Sequence, residues 1–134
     1  IGVMGFSAGA SLTARAATRF HTPSYTATDE IDQLSARPDF AALIYPAYMD
    51  EGENHTLTPE LTITEQTPPF FVFQTADDPY GNSALVISQA LRNQKIPVQL
   101  HIYEKGGHGY GLRAHLAEAA SKWTKLMETW LMTL

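Results

Sequence analysis

The sequence contains no cysteine, no long apolar run and no cluster of basic residues. The absence of cysteine excludes a disulfide-stabilised fold and a zinc site built from thiolates. No apolar stretch approaches the roughly 18 residues that a transmembrane helix needs. A net charge of −5 without a basic patch argues against nucleic acid and anionic membrane surfaces as partners. The expected partners are small molecules, neutral polymers or other proteins.

What the sequence does contain is typical of one globular domain. Its 134 residues are 44% hydrophobic and 17% charged, which is sufficient apolar material for a single core. The chain opens on the apolar segment IGVM, with neither an initiator methionine nor a signal peptide. We therefore expect a longer protein, in which the preceding segment would carry any targeting signal.

The pattern of apolar segments predicts an α/β fold. Strands are predicted over residues 1–5, 40–45, 70–74 and 98–103, and helices over 8–20, 83–93 and 115–134. Near-continuous apolar strands that alternate with helices predict a mostly parallel sheet with helices on both faces. The polar segment 47–68 predicts a long loop. Because four strands make a small sheet for this topology, we expect further strands upstream of Ile1 and an exposed apolar edge without them.

The spacing of apolar residues also predicts which face of each helix packs on the sheet. The first helix has Leu12, Ala16 and Phe20 at helical spacing in an alanine-rich run, whose small side chains would let it approach a sheet closely. The second has Leu85, Val86, Ala90 and Leu91 on one side. The predicted core stripe of the last helix is Leu116, Ala119, Trp123, Leu126, Met127, Trp130 and Leu134.

The pentapeptide GFSAG at residues 5–9 matches G-x-S-x-G and lies between a predicted strand and a predicted helix. In this context the serine occupies a strained strand-to-helix turn, and the flanking glycines let the turn form without a steric clash. The helix N-terminus behind Ser7 offers free N–H groups to developing negative charge. The alternative is a glycine-rich turn in which Ser7 only caps the helix.

Two further polar residues follow predicted strands. Asp78 comes just after the third strand, and His108 lies in a glycine-rich loop after the fourth. The chain order Ser, Asp, His is that of the α/β-hydrolases, and all three residues are expected at the carboxyl edge of the sheet. We predict that Ser7 is a nucleophile, His108 its base and Asp78 the triad acid, with Asp77 as the alternative acid.

Other kinds of site are not predicted. The histidines at positions 21, 55, 101 and 115 are expected to have no catalytic role. His108 has no second ligand at helical spacing, and neither a dinucleotide-binding nor a Walker A pattern occurs. We therefore expect no metal and no organic cofactor.

The segments GFSAG, RPDFAALIYPAY, TPPFFVFQTADDP and ALRNQKIPVQLHIYEKGGHGYGL, followed by a tryptophan-bearing helix, resemble the C-terminal half of the α/β-hydrolase fold. More narrowly, they resemble bacterial acetylxylan-esterase-like and feruloyl-esterase-like serine esterases, which are related to prolyl oligopeptidases. The resemblance covers essentially all of residues 1–134 and implies the C-terminal catalytic half of a single domain. It implies Ser7, Asp78 and His108 as the triad. It also implies the Ala8 backbone N–H as one donor to the oxyanion.

One part of that family's pattern is absent. The second oxyanion donor normally comes from an HGGG-type loop after an earlier strand, and nothing before Ser7 matches it. We therefore expect the isolated 134 residues to be poorly soluble and nearly inactive, and the longer protein to be active.

The resemblance implies a serine ester hydrolase that forms an acyl-enzyme and removes small acyl groups, such as acetyl, from a carbohydrate ester. Such an enzyme would act in the periplasm or outside the cell. Tyr48, Tyr80 and Tyr110 lie in loops after the predicted strands and are candidates for lining its pocket. Two alternatives stay open: a serine peptidase of the prolyl-oligopeptidase type, and a truncated chain that binds without catalysis.

Overall fold

The computed structural model describes the backbone of residues 1–134 and every side chain except that of residue 120. In chain order the elements are β1 (Gly2–Phe6), α1 (Ala8–Thr18), a short 3-10 helix (Ile31–Gln33), β2 (Phe40–Ile44), β3 (Asp50–Glu51), β4 (Thr56–Leu57), β5 (Phe70–Thr75), α2 (Asn82–Asn93), β6 (Val98–Tyr103) and α3 (Glu118–Leu131). The strands β1, β2, β5 and β6 lie side by side in this order, and every pair is parallel. The predicted parallel α/β fold is confirmed.

The inner strands β2 and β5 are almost entirely apolar because helices cover both faces of the sheet. The exceptions, Gln74 and Thr75 at the end of β5, are polar but buried. Successive residues of a strand point to opposite faces. Accordingly, Leu43 and Val72 pack in one cluster with α1 and α2, whereas Ile44 and Phe73 pack in a second cluster with α3. All four of these side chains are fully buried. Continuous burial on both faces explains why the strands show no alternation of apolar and polar residues.

The alanine-rich helix α1 approaches the sheet closely, as predicted, but its Leu12 stripe does not face the sheet. Leu12 is 69% exposed, and the buried face instead carries Ala10, Ala14 and Ala17. The reason is the short distance between α1 and the sheet: a Cβ on Gly5 in β1 would overlap the carbonyl oxygen of Gly9. Only small side chains fit between elements that lie so close together, so the leucine is on the outer face.

The inward face of α2 agrees with the prediction at Leu91 but not at Leu85, whereas that of α3 largely agrees. Ala84, Ile87 and Leu91 of α2 are fully buried, and Leu85 is 47% exposed. In α3, Ala119, Trp123 and Trp130 are buried, and Leu126 and Met127 are half-buried. The predicted end residues Leu116 and Leu134 lie outside the helix and are exposed.

The segment predicted as a long loop contains a small antiparallel hairpin of β3 and β4. A buried hydroxyl anchors it, because Ser83 Oγ accepts a hydrogen bond from Met49 N–H and donates one to Asp50 Oδ1. The loop from β2 to the hairpin is therefore fixed against the N-terminus of α2.

The two edges of the four-stranded sheet are β1 and β6. The edge strand β1 carries Met4, whose side chain is 46% exposed, so an apolar side chain does reach the surface at this edge. No described helix is long and apolar enough to span a membrane.

Candidate active site

Ser7 lies in a strained turn between β1 and α1. Its backbone has φ 55° and ψ −124°, a conformation that an L-residue rarely adopts. Hydrogen bonds on both sides maintain it: Ser7 N–H donates to the Ile44 carbonyl at 3.1 Å, and the Ser7 carbonyl accepts from Ala10 N–H at 3.0 Å. Gly5 allows α1 to start so close to the strand, whereas a Cβ on Gly9 would meet only open space. Of the two flanking glycines, only Gly5 is required by sterics.

The side chains of Ser7, His108 and Asp78 form a continuous hydrogen-bonded chain. Ser7 Oγ lies 2.6 Å from His108 Nε2, and His108 Nδ1 lies 2.7 Å from Asp78 Oδ2. The Asp78 side chain is completely buried, and that of His108 is 24% exposed. A buried carboxylate at Nδ1 keeps the ring proton there, so Nε2 is free to accept the proton of the serine hydroxyl. The arrangement can therefore activate Ser7 as a nucleophile.

Asp78 is fixed by a second contact. Its Oδ1 accepts a hydrogen bond from the backbone N–H of Tyr80 at 2.8 Å. Both carboxylate oxygens therefore have partners, which compensates for the removal of the charge from water.

Asp77 contacts the histidine loop rather than the imidazole. Its carboxylate accepts N–H hydrogen bonds from Gly107 at 2.8 Å and from Gly106 at 3.2 Å, and these bonds hold the pKa of Asp77 below its usual range. The same loop is also held by Thr75, whose Oγ1 donates a hydrogen bond to the Gly107 carbonyl at 2.7 Å. The two adjacent aspartates therefore have different contacts. Asp78 binds the ring of His108, whereas Asp77 binds the backbone N–H groups just before it.

Two aromatic residues lie beneath His108, and both are buried. The ring of Tyr45 is 5.2 Å from the imidazole at 69°, and Tyr110 packs behind Tyr45 with ring centroids 4.6 Å apart. Burial raises the pKa of both phenols. Since Tyr110 is only 1% exposed, its side chain is part of the core and does not line an open pocket as the sequence predicted. Sequence analysis did not identify Tyr45, although its position directly after β2 is a signal for the same sheet edge.

The other two candidate tyrosines lie on the open side of His108. The Tyr80 ring is 4.9 Å from the imidazole, and the Tyr48 ring is 5.0 Å from that of Tyr80. Tyr48 is 56% exposed and has φ 60°. The structure therefore brings both residues to the mouth of the candidate site.

The remaining sequence candidates are also located. Ala8 is the first residue of α1, directly after Ser7, and the first N–H groups of a helix have no carbonyl partner within it. His101 is half-buried between Phe71 and Phe73, and burial lowers its pKa. Among the described side chains, no group of three or more His, Asp or Glu residues is arranged to hold a metal ion.

No family profile matches the chain. Two solved structures and one curated protein are nevertheless similar to it. The chain is similar to the acetyl ester-xyloside bifunctional hydrolase of Caldicellulosiruptor lactoaceticus, with 30% identity and a TM-score of 0.82 over 99% of this chain and 56% of that one. It is similar to MGS-M1, an α/β hydrolase enzyme from a Medee basin deep-sea metagenome library, with 30% identity and a TM-score of 0.69 over 98% and 52% of the two chains.

One curated protein also resembles the chain. It is the endo-1,4-beta-xylanase B of Butyrivibrio fibrisolvens, with 33% identity over an alignment of 128 positions, which covers 80% of this chain and 20% of that protein. The present chain spans about half the length of the two solved structures and about a fifth of this relative.

Proposed function

Because this chain folds as part of an α/β-hydrolase domain, we propose that it carries the catalytic triad of a serine ester hydrolase. The observation that supports the proposal most strongly is the chain of contacts from Ser7 Oγ through His108 to the buried Asp78 carboxylate. These groups follow three strands of one parallel sheet, at the carboxyl edge where such sheets bind ligands.

In the proposed reaction, Ser7 Oγ attacks the carbonyl carbon of an ester while its proton passes to His108 Nε2. The tetrahedral intermediate collapses when the bond to the alcohol breaks, and His108 gives its proton to the departing alcohol oxygen. Water then attacks the acyl-enzyme with His108 again as base, which releases the acid and restores Ser7. Asp78 holds the tautomer of His108 and stabilises its charged form.

The N-terminus of α1 is the proposed binding site for the developing oxyanion. The Ala8 N–H follows the nucleophile directly, and the dipole of a helix favours negative charge at this end. The resemblance implies a second donor from a loop before β1, and no described residue matches it. We therefore propose that full activity depends on a further segment of the protein.

Acetyl groups on a xylose-based carbohydrate are the substrate that we propose. One solved neighbour is an acetyl ester-xyloside hydrolase, and the curated relative is a xylanase. Both names refer to xylose-based carbohydrates. The first also refers to an acetyl ester, which is the bond that the triad would hydrolyse.

The hydrolysis of p-nitrophenyl acetate and of acetylated xylo-oligosaccharides by the intact protein tests the proposal. Wild-type protein should release acetate from both, and Ser7→Ala should abolish the release because the nucleophile is removed. The matched control is Ser121→Ala, since Ser121 is an exposed serine in α3 that lies outside the site. It should leave the rate unchanged.

A Ser7→Ala protein that hydrolyses either ester at the wild-type rate would contradict the proposal. A wild-type protein that cleaves peptides after proline and leaves the esters intact would favour the peptidase instead.

A further inference from the structure

Tyr48 and Tyr80 form an aromatic pair that begins at His108 and ends in solvent. Tyr80 contacts the imidazole edge-on at 4.9 Å and 64°, and Tyr48 contacts Tyr80 in the same manner at 5.0 Å and 64°. Tyr80 is half-buried and Tyr48 is 56% exposed. An exposed ring at the mouth of the site has a face that is free for a ligand.

The turn that presents Tyr48 is strained and anchored. Tyr48 has φ 60°, which is costly for a residue with a side chain. The N–H of the next residue, Met49, donates a hydrogen bond to the buried Ser83 Oγ at 3.1 Å and so holds the turn in place. Strained conformations that persist in this way are concentrated at functional sites. The backbone that carries Tyr48 is therefore fixed, and the contact with Tyr80 positions its ring.

The chemistry of the proposed reaction separates the two ends of an ester in this site. The carbonyl group must lie at Ser7 and the N-terminus of α1, where the oxyanion develops. The alcohol oxygen must lie within hydrogen-bond distance of His108 Nε2, because that atom gives it a proton as the bond breaks. Side chains that contact His108 and also reach solvent are therefore next to the alcohol.

Only part of the aromatic cluster around His108 satisfies both conditions. Tyr45 contacts the imidazole from beneath, but it is only 5% exposed and cannot meet a substrate. Tyr80 contacts the imidazole and is only half-buried, so it satisfies both conditions. Tyr48 does not contact His108, but it packs on Tyr80 and extends the aromatic surface outward into solvent.

We propose, on the basis of the proposed esterase function, that the Tyr48–Tyr80 pair binds the alcohol part of the ester and selects alcohols that contain a pyranose ring. A pyranose has an apolar face of C–H groups that packs against an aromatic ring, whereas a short acyclic alcohol has no such face. The acyl group is bound elsewhere in the site, so the pair does not contribute to acyl specificity.

This assignment has a kinetic consequence. The alcohol is present while Ser7 Oγ bonds to the acyl carbon and the carbon–alcohol bond breaks, and it has left before water attacks the acyl-enzyme. Loss of the pair therefore slows acylation, which kcat/KM reports, and it does not slow deacylation of the common acetyl-enzyme.

The experiment compares two acetate esters in the intact protein: acetylated methyl β-xylopyranoside and ethylene glycol monoacetate. Tyr48→Ala should lower kcat/KM for the xyloside ester about tenfold, as expected for an aromatic contact of this kind. The same variant should change kcat/KM for the glycol ester less than about twofold. Tyr48→Phe, which keeps the ring, should restore the xyloside rate.

The control is Tyr25→Ala, because Tyr25 is 61% exposed and lies in the segment after α1, away from His108. It should leave both rates unchanged. Labelling by a fluorophosphonate, whose leaving group is fluoride, should proceed at the wild-type rate in Tyr48→Ala and show that Ser7 and His108 are intact.

An equal loss for both alcohols would overturn the assignment, as would a change in preference between acetate and butyrate esters. Retention of ester hydrolysis by Ser7→Ala would contradict the proposed function itself, which is a different result.

Discussion

Replacement of Asp78 by asparagine removes the charge of the proposed triad acid while its shape is preserved. In the wild-type protein, one carboxylate oxygen accepts from His108 Nδ1 at 2.7 Å and the other from Tyr80 N–H at 2.8 Å. An asparagine has one oxygen and one NH2 group, so it satisfies only one of these donors. Because the side chain is fully buried, water does not replace the lost contact.

Either orientation of the amide impairs the site. If the oxygen stays with Tyr80, the NH2 group faces Nδ1 and the ring proton moves to Nε2, which then does not accept the proton of Ser7. If the oxygen faces His108, the NH2 group opposes the Tyr80 N–H. The same change in a serine protease triad lowers kcat about 10⁴-fold. We expect a similar loss here, which corresponds to about 5 kcal/mol of activation free energy.

The assay is kcat for p-nitrophenyl acetate in the intact protein, with circular dichroism as the check on folding. The matched control is Asp77→Asn, because this neighbouring aspartate bonds to the backbone of the histidine loop and not to the imidazole. Its amide oxygen still accepts one N–H, so we expect a loss of about tenfold or less. An Asp78→Asn protein within tenfold of the wild type, or a larger loss in Asp77→Asn, would refute the assignment of the acid.

Two further predictions concern stability and are tested by urea denaturation. Ile87→Ala should lower the free energy of unfolding by about 2–5 kcal/mol because Ile87 is completely buried between α2 and the sheet, whereas Leu85→Ala on the exposed face should cost less than about 1 kcal/mol. Equal losses would show that the faces of α2 are assigned wrongly. Tyr110→Phe should leave the stability unchanged or raise it by up to about 1 kcal/mol, since the buried Tyr110 hydroxyl has no hydrogen-bond partner among the described residues. A clear loss would indicate that the hydroxyl has a partner in the intact protein.

The strands of the sheet follow from local signals that the sequence contains. Buried parallel strands favour near-continuous apolar residues, and the run from Phe70 to Phe73 meets that requirement without help from distant residues. The location of Ser7, Asp78 and His108 at one edge then follows from topology, because each residue lies in the segment that follows the carboxyl end of a parallel strand.

The helix faces do not follow from local signals, because packing distance decides them. The first helix has small residues on several sides, and only the close approach at Gly5 excludes Leu12 from the interface. In the second helix, two apolar stripes overlap, and tertiary contacts select the one that contains Ile87.

The surroundings of His108 depend on contacts between residues that are far apart in sequence. Tyr45 and His108 are separated by β5, α2 and β6, and only the order of strands brings their rings together. The same is true of Asp77 and the loop at Gly106 and Gly107. Sequence alone identified Asp77 and Asp78 as competing acids, and their different contacts required the structure.

The most direct test of the account is the site of covalent modification by a fluorophosphonate in the intact protein. The predicted result is one adduct per chain, which peptide mapping by mass spectrometry assigns to Ser7 and which is lost in Ser7→Ala and strongly slowed in His108→Ala. A protein that stays unmodified, or one modified at a different serine with Ser7 intact, would contradict the claim that Ser7 is an activated nucleophile.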